Sequence, residues 1–157
     1  MLNEFARETV DRVIATRKHM PGALMPILHG IQDAVGYIPA QAVESIALAL
    51  NLSRAEVHGV VTYYHYFRSE PAGQHVVQIC RAEACQARGA EALWAHACAH
   101  LDCDGHGTTK DGVFTLEPVY CLGLCAQSPA MTLDDKVHAR VGVEKFNNVL
   151  ARARSAP

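Results

Sequence analysis

Residues 113–131 read VFTLEPVYCLGLCAQSPAM, a strand-like run that leads into a loop with two cysteines. The first eight residues are mostly apolar and rich in β-branched and aromatic side chains, which predicts a buried strand. Cys121 ends the predicted strand, and Cys125 follows in an uncharged loop. The pair lacks the Cys-x-x-Cys spacing of dithiol redox enzymes, which makes that class a poor candidate.

A second predicted strand with the same ending lies earlier in the chain. HVVQIC, residues 75–80, is a short apolar run that ends at a cysteine, and Cys85 lies on the following loop. GAEALWAHACAHL predicts a helix between the two strands. If the strands are neighbours, both cysteine pairs converge at one end of the sheet. The four thiols are those of Cys80, Cys85, Cys121 and Cys125.

The rest of the C-terminal part completes a mixed sheet. AMTLD and VHARV, joined by an acidic turn at Asp134 and Asp135, predict a hairpin whose turn is solvated. VEKFNNVLARAR predicts a closing helix with an apolar stripe made of Val143, Phe146, Val149 and Leu150. Strand, helix, strand, hairpin and helix in this order are typical of an α/β sandwich.

The first third of the chain is predicted to be a small helical bundle. Apolar residues at helical spacing predict helices over 5–14, 24–35 and 39–50, with Pro39 at the first position of the third. Ser53-Arg54-Ala55-Glu56 is a capping box that opens a fourth helix. FRSEPAG then forms a linker. We therefore expect a helical segment in residues 1–70 and a second domain in residues 71–157.

Composition argues against nucleic-acid binding and membrane insertion and favours metal binding or catalysis. The chain has 157 residues and a formal net charge of −2 without a basic run, which argues against nucleic-acid binding. No secretory signal is visible, and no apolar stretch has the length of a membrane span, so we expect a cytoplasmic protein without membrane insertion. Six cysteines in a reducing compartment indicate metal binding or catalysis more than disulfides.

Four thiols on two loops are suited to two kinds of metal group. A [2Fe–2S] cluster takes two thiolates on each iron, which matches two pairs. Zinc is the alternative, because four cysteines also form a closed tetrahedral site. Gly123 allows a tight turn, and apolar neighbours are expected to keep water off the site: Leu122, Leu124 and Ala126. Arg81 and Arg88 either bring positive charge to the thiols or are surface residues.

The other two cysteines and two histidine pairs are given different roles. Cys98, inside a predicted helix, is interpreted as a small buried hydrophobe, and Cys103 as a spare thiol. His96 and His100 have a spacing that can bind zinc but lack the Glu of a metalloprotease motif. A second histidine pair, on one face of the fourth helix, is interpreted as an interface or polar stripe: His58 and His65.

Residues 62–67, TYYHYF, are the most aromatic stretch of the chain. Helical spacing favours a place in the core, whereas tyrosine and phenylalanine are also enriched at the centres of interfaces. Five large side chains in six positions cannot all point inward. Both interpretations, core and partner-facing patch, stay open.

The spacing Cys80-x4-Cys85 followed by Cys121-x3-Cys125 resembles the thioredoxin-like [2Fe–2S] ferredoxin family. That family includes the 24-kilodalton subunit of respiratory NADH dehydrogenase and the diaphorase parts of NAD-reducing hydrogenases. The resemblance extends to LMPILHGIQDAVGYIP and SRAEVHGVVTYYHYFR, and so covers nearly the whole chain. CRAEACQARGAEAL and EPVYCLGLCAQSPAM are most similar to the gamma subunit of soluble, NAD-dependent, molybdenum-containing formate dehydrogenase.

The resemblance implies a thioredoxin-like α/β domain behind the helical bundle and one [2Fe–2S] cluster. Its implied ligands are the same four cysteines, with Cys98 and Cys103 outside the motif. It also implies a larger partner subunit that binds flavin and NAD, with other iron–sulfur and molybdenum subunits reached indirectly. Pro129 stands before a predicted strand, where thioredoxin folds often keep a cis-proline; its isomer is left open.

No dinucleotide, phosphate-loop or nucleophile motif occurs in the sequence, so oxidation of a substrate is expected on another chain. The expected function is one-electron transfer with a flavin- and NAD-binding subunit, in a formate dehydrogenase complex. The alternatives are the equivalent subunit of NADH:quinone oxidoreductase or NAD-reducing hydrogenase, and, in a different class, a zinc-stapled interaction subunit without a redox role.

Overall fold

The computed structural model describes residues 4–155. The chain divides into two compact units, Met1–Pro71 and Ala72–Pro157, and the division falls within the predicted linker. Seven α-helices and a mixed five-stranded sheet are present in the described range, which confirms the α/β class. No helix of the described range is both long and apolar enough to cross a membrane.

The first unit consists of four helices around an apolar core. They are α1 Glu4–Arg17, α2 Leu24–Val35, α3 Ala40–Leu50 and α4 Arg54–Tyr63. Gly36 ends α2 in the left-handed conformation, with φ of 89°. Pro39 is extended, with ψ of 139°, and precedes α3, so the prediction that it occupies the first helical position is wrong by one residue. Ile27, Leu28 and Ile46 are fully buried in this core.

The capping box at the start of α4 is confirmed. The Ser53 hydroxyl oxygen accepts a hydrogen bond from the Glu56 backbone N–H at 3.2 Å. In return, the Glu56 carboxylate accepts from the Ser53 N–H at 2.8 Å. Two N–H groups that the first helical turn cannot pair are thereby satisfied. The Ser53 N–H, together with the Ser53 hydroxyl, which also donates to the Glu56 carboxylate at 2.8 Å, holds the pKa of Glu56 below its ordinary value.

The capping box predicts an acid-sensitive contribution to the stability of the first unit. Because the folded-state pKa of Glu56 is lowered, its contribution is present above the unfolded-state pKa and is lost as the pH falls through the folded-state value. We expect Glu56→Gln to lower the thermal midpoint of the first unit at about pH 7 and to have no effect near pH 2. Circular dichroism measures both midpoints, with Glu44→Gln on α3 as the matched control. An equal loss at both pH values would contradict this assignment.

The second unit is a five-stranded sheet with helices packed against it. The strands are β1 His75–Cys80, β2 Gly107–Thr108, β3 Phe114–Val119, β4 Met131–Leu133 and β5 Lys136–His138. The helices are α5 Glu83–Ala87, α6 Ala90–Leu101 and α7 Val143–Arg154. The strand order is β2-β3-β1-β4-β5, in which β1 pairs with β3 in parallel and every other pairing is antiparallel. The predicted mixed sheet and hairpin are confirmed.

One side of this sheet packs against α6 and α7. Val77 of β1 and Leu116 of β3 are opposite each other in register and fully buried. From the helices, Leu93 and Phe146 join the same cluster. Val143, which was expected in the buried stripe of α7, is 45% exposed, because it stands at the first position of the helix.

Candidate metal centre

The parallel pairing of β1 and β3 brings the two cysteine loops to the same edge of the sheet. Cys80 is the last residue of β1 and stands opposite Val119, the last residue of β3. One residue further, the Arg81 N–H donates to the Val119 carbonyl at 2.7 Å. Cys121 lies two residues beyond the end of β3 rather than at the strand terminus itself. The condition on which the four thiols were expected to converge is therefore met.

Cys80 and Cys85 form the buried half of the site, with 2% and 3% of their surfaces exposed. Their neighbours include Ala90 and Ala130. The Cys80 N–H donates to the Ala130 carbonyl at 3.0 Å, which fixes the end of β1. Burial raises the pKa of the Cys85 thiol, and the nearby Cys80 and Cys125 thiols raise it further. The pKa of Cys85 thus responds to one cysteine of each pair.

The α5 helix, which positions Cys85, is not predicted by the sequence patterns. It has five residues, Glu83–Ala87, and begins directly after Ala82. Such a helix is too short for an apolar period to show in the sequence. The one available signal is Glu83 in the first turn, where a carboxylate is favoured by the helix dipole.

Cys121 and Cys125 form the exposed half of the site. Gly123 lies between them with φ of 73°, as expected for a tight turn, and its N–H donates to the Cys121 sulfur at 3.3 Å. Cys121 itself has φ of 135°, a strained value for a residue with a side chain. Leu122 and Leu124 are half-buried.

The apolar loop was expected to keep water off all four cysteines. The structure differs from this prediction at Cys121 and Cys125. Both Cys121 and Cys125 are exposed, and so is Ala126. Leu122 and Leu124 pack toward the buried cysteines instead, within the cluster that contains Cys80 and Cys85. The two halves of the site therefore have different environments.

The number of candidate thiols equals the number of ligands that a two-iron cluster takes. A [2Fe–2S] cluster takes two thiolates on each iron, and the site supplies one buried pair and one exposed pair. Within residues 4–155, the structure gathers no three His, Cys, Asp or Glu side chains into a group that could hold a metal ion, so it brings the two cysteine loops to one end of the sheet without converging all four sulfurs. The Gly123 N–H at the Cys121 sulfur supplies the hydrogen bond that a thiolate ligand requires to offset its charge.

Arg81 and Arg88 have different surroundings. The Arg81 guanidinium forms two hydrogen bonds with the Glu91 carboxylate, at 3.0 and 2.7 Å, and lies 4.8 Å from the centre of the Trp94 ring. This contact attaches the chain after Cys80 to α6. Arg88 is exposed and, with Arg140, lines an open cavity of about 880 Å³ that Cys125 also borders.

Cys98 and Cys103 lie outside the four-thiol site. Both are half-buried and pack against the apolar core of the second unit, as Trp94 does. Cys98 is on α6, as predicted, although it is less buried than expected. Cys103 was interpreted as a spare thiol, but its side chain packs against the apolar core of the second unit.

One histidine pair has packing and hydrogen-bond partners, and the other does not share a helix. The rings of His96 and His100 stack at 5.6 Å on α6, and His96 Nε2 lies 2.8 Å from the Asn147 amide oxygen. His58 is on α4, but that helix ends at Tyr63, so the prediction that His58 and His65 share one helical face is wrong.

The aromatic run divides between core and surface. Phe67 is buried, with 8% exposed, whereas Tyr63, Tyr64 and Tyr66 are 74%, 45% and 52% exposed. Most of the run is therefore surface, and its last ring belongs to the core of the first unit.

Asp134 is more than a solvated turn residue. Its carboxylate accepts from the Val76 N–H at 2.9 Å and lies 3.0 Å from His75 Nδ1, so it ties the hairpin turn to β1. The Ser128–Pro129 bond, whose isomer the sequence left open, is cis.

Comparison with known proteins identifies the family. A model of the thioredoxin-like [2Fe–2S] ferredoxins matches residues 10–154. The chain belongs to this family. The resemblance drawn from the cysteine spacing is thereby confirmed, as is the assignment of the cofactor as a [2Fe–2S] cluster rather than zinc.

Curated relatives of this ferredoxin are subunits of larger complexes. A subunit of the NADH-quinone oxidoreductase of Rhizobium meliloti (strain 1021) is 33% identical over 150 residues, which cover 96% of this chain and 89% of the relative. NADP-reducing hydrogenase subunit HndA of Solidesulfovibrio fructosivorans is 30% identical over 145 residues, which cover 92% and 84% of the two chains. The ferredoxin is accordingly an electron-transfer subunit of the type found in NADH-dehydrogenase-like complexes.

Solved structures support the fold. An air-oxidized NAD+-reducing [NiFe]-hydrogenase superposes with a TM-score of 0.69 at 22% identity. The alignment covers 88% of the ferredoxin chain but only 24% of the hydrogenase chain, so the ferredoxin fold forms a minor part of that longer polypeptide. Together with the family match, this confirms the thioredoxin-like α/β architecture with N-terminal helices.

Proposed function

We propose that Cys80, Cys85, Cys121 and Cys125 ligate the [2Fe–2S] cluster and that the chain carries single electrons to or from a flavin- and NAD-binding partner subunit. The observation that carries the proposal is the parallel pairing of β1 and β3. Because the two strands end side by side, the two cysteine-bearing loops that follow them begin at the same end of the sheet. The interaction of the Cys85 thiol with both Cys80 and Cys125 supports the same grouping.

The residues of the site hold the cluster and shape its surroundings. When bound, the cluster supplies one-electron chemistry. The buried pair, Cys80 and Cys85, anchors it against the apolar cluster of Ala90 and Ala130. Gly123 donates its N–H to the Cys121 sulfur, a hydrogen bond that would offset part of the negative charge of a sulfur ligand. None of the four thiolates needs to gain or lose a proton during electron transfer.

The exposed pair marks the side of the site that a partner subunit would face. Electron transfer requires close approach, and Cys121 and Cys125 are the two cysteine ligands open to solvent. Next to Cys125 is the open cavity that Arg88 and Arg140 line. We place the flavin-binding partner on this side, in a cytoplasmic complex.

The complex that we favour is an NAD-dependent, molybdenum-containing formate dehydrogenase. The sequences of the two cysteine loops support this choice, because CRAEACQARGAEAL and EPVYCLGLCAQSPAM are most similar to the gamma subunit of that enzyme. The second candidate is NADH-quinone oxidoreductase, which is supported by 33% identity over 150 residues to the Rhizobium meliloti subunit of that complex.

Electron paramagnetic resonance tests the cluster directly. We expect the anaerobically purified chain to be silent as isolated and to give a signal with average g below about 2 after dithionite, as a [2Fe–2S] cluster accepts one electron. Iron and acid-labile sulfide should be present in equal amounts. A colourless sample that holds zinc, and that gains no signal after reconstitution with iron and sulfide, would refute the proposal.

Co-purification shows to which of the two candidate complexes the chain belongs. The tagged chain, isolated anaerobically from the source cells, is expected to bring with it a flavin-containing subunit and formate:NAD+ activity with molybdenum. Recovery of NADH:quinone activity without molybdenum would instead assign the chain to NADH-quinone oxidoreductase. Recovery of the chain without any flavin-containing subunit would contradict both assignments.

A further inference from the structure

The C-terminal end of α6 brings the remaining two cysteines together. Asp102 leaves the helix in the left-handed conformation, with φ of 50°, and its N–H donates to the Cys98 carbonyl. The Cys103 N–H donates to the same carbonyl at 3.2 Å. In this type of helix ending, the residue after the left-handed position frequently packs its side chain against the residue that accepts the bond. Here those two residues are Cys103 and Cys98.

Packing keeps both thiols on the same side of α6. Cys98 and Cys103 are half-buried against one apolar core, beside Trp94. The loop that follows Cys103 folds back over Cys98 and Trp94, because a Cβ added to Gly105 would lie 3.4 Å from the Cys98 sulfur and 3.0 Å from the Trp94 ring. Burial raises the pKa of Cys98, and the adjacent Cys103 thiol raises it further. The two thiols are therefore neighbours in a confined space.

We propose that Cys98 and Cys103 are a reversible dithiol–disulfide pair, a modification site that is separate from the cluster ligands. The pair offers two thiols, whereas a structural zinc ion takes four ligands, so bond formation between the sulfurs is the chemistry that fits. Disulfides in reducing compartments are usually transient and sense redox state. A ring closed over so few residues gains little from loop closure, which keeps the bond easy to reduce.

The oxidant that we assign to the reaction is a low-molecular-weight disulfide such as glutathione disulfide. One protein thiolate attacks it, forms a mixed disulfide and releases one glutathione thiolate. The second protein thiol then displaces the other glutathione, which forms the Cys98–Cys103 bond. Two protein thiols lose two electrons and two protons, and two molecules of glutathione are produced. Reduced glutathione or dithiothreitol reverses both steps.

The test uses the chain with its cluster in place. After incubation with excess glutathione disulfide, free thiols are alkylated and the protein is digested with trypsin. Residues 89–110 form one peptide that contains Cys98, Cys103 and no other cysteine, because no Lys or Arg interrupts it before Lys110. We expect this peptide to lose two hydrogen masses and both alkylation sites, and to regain them after dithiothreitol.

Single substitutions are the controls. Cys98→Ser and Cys103→Ser leave one thiol each, so the remaining cysteine should take up glutathione or stay alkylatable without any loss of two hydrogens. In the unsubstituted chain, two alkylated cysteines, two glutathione adducts or a disulfide-linked dimer would each overturn the proposal. Visible absorption recorded in parallel reports the cluster, so failure of this pair and failure of the cluster assignment are distinguished.

Discussion

Replacing Cys121 with serine is expected to abolish the [2Fe–2S] signal of the chain. One iron would lose a thiolate ligand, and thiolates are the ligands that hold such clusters. We expect iron, labile sulfide and the reduced-state paramagnetic signal each to fall at least about tenfold, in line with the loss of affinity that follows from damaging a metal site. Elemental analysis and the spectrum of the dithionite-reduced protein measure all three.

Cys121 is the most informative of the four proposed ligands because its loss should spare the fold. It is exposed and lies outside every helix and strand, so a serine hydroxyl there meets solvent. Serine at Cys85 would instead bury a hydroxyl in an apolar cluster, which itself costs stability. An unchanged circular dichroism spectrum in Cys121→Ser separates loss of the cluster from loss of the fold.

Cys98→Ser is the matched control for this experiment. It removes a thiol from the same unit, yet Cys98 is on α6 and packs against the apolar core of that unit, whereas Cys80 and Cys85 belong to a different apolar cluster. We expect iron content and the signal to stay at the level of the unsubstituted chain. Loss of the cluster in Cys98→Ser together with its retention in Cys121→Ser would refute the ligand assignment.

Replacing Phe146 with alanine is expected to destabilise the second unit by about 3–5 kcal/mol. Phe146 is fully buried between α7 and the sheet, and its ring meets those of His96 and His100 edge-on, with centroids 5.8 and 6.0 Å away. Truncation removes apolar area and leaves a cavity under α6. Trp94 is the only tryptophan of the chain and lies in this unit, so its fluorescence during denaturant unfolding measures the loss.

Val143→Ala on the same helix is the control. Val143 is 45% exposed at the start of α7, and changes at such positions alter stability by no more than about 0.5 kcal/mol. The two substitutions together test which face of α7 is buried. Comparable losses from both would show that α7 packs differently from the structure described above.

Long, periodic elements were predictable from the sequence. The closing helix was predicted over VEKFNNVLARAR and is observed as Val143–Arg154. The strand HVVQIC is observed as His75–Cys80. The capping box at Ser53 also formed as predicted, because its two hydrogen bonds are local and depend on residues only three positions apart.

Elements that depend on contacts distant in sequence were not predictable. The β2 strand has two residues, Gly107 and Thr108, and exists because it pairs with β3. The exposure of Val143 depends on where α7 begins, and the separation of His58 from His65 depends on where α4 ends. Periodicity identifies a helical face but leaves its ends uncertain.

The grouping of the four cysteines could be predicted, but their environments could not. The sequence shows two strands that each lead into a loop with two cysteines. If these strands are neighbours, as the structure shows, the two loops lie at the same end of the sheet. The division into a buried and an exposed pair depends on α5 and on the path of the chain after Val119. Neither leaves a pattern in the sequence.

We expect the β1–β3 pairing to form before the cluster is inserted. These strands are parallel, and their partners are separated by roughly 40 residues of chain, a non-local pairing that forms slowly compared with a helix. Until it forms, Cys80 and Cys85 stand apart from Cys121 and Cys125, and a nascent chain offers only half of the proposed ligand set. Cluster delivery is therefore expected to act on the folded second unit, with the solvent-facing thiols as the point of entry.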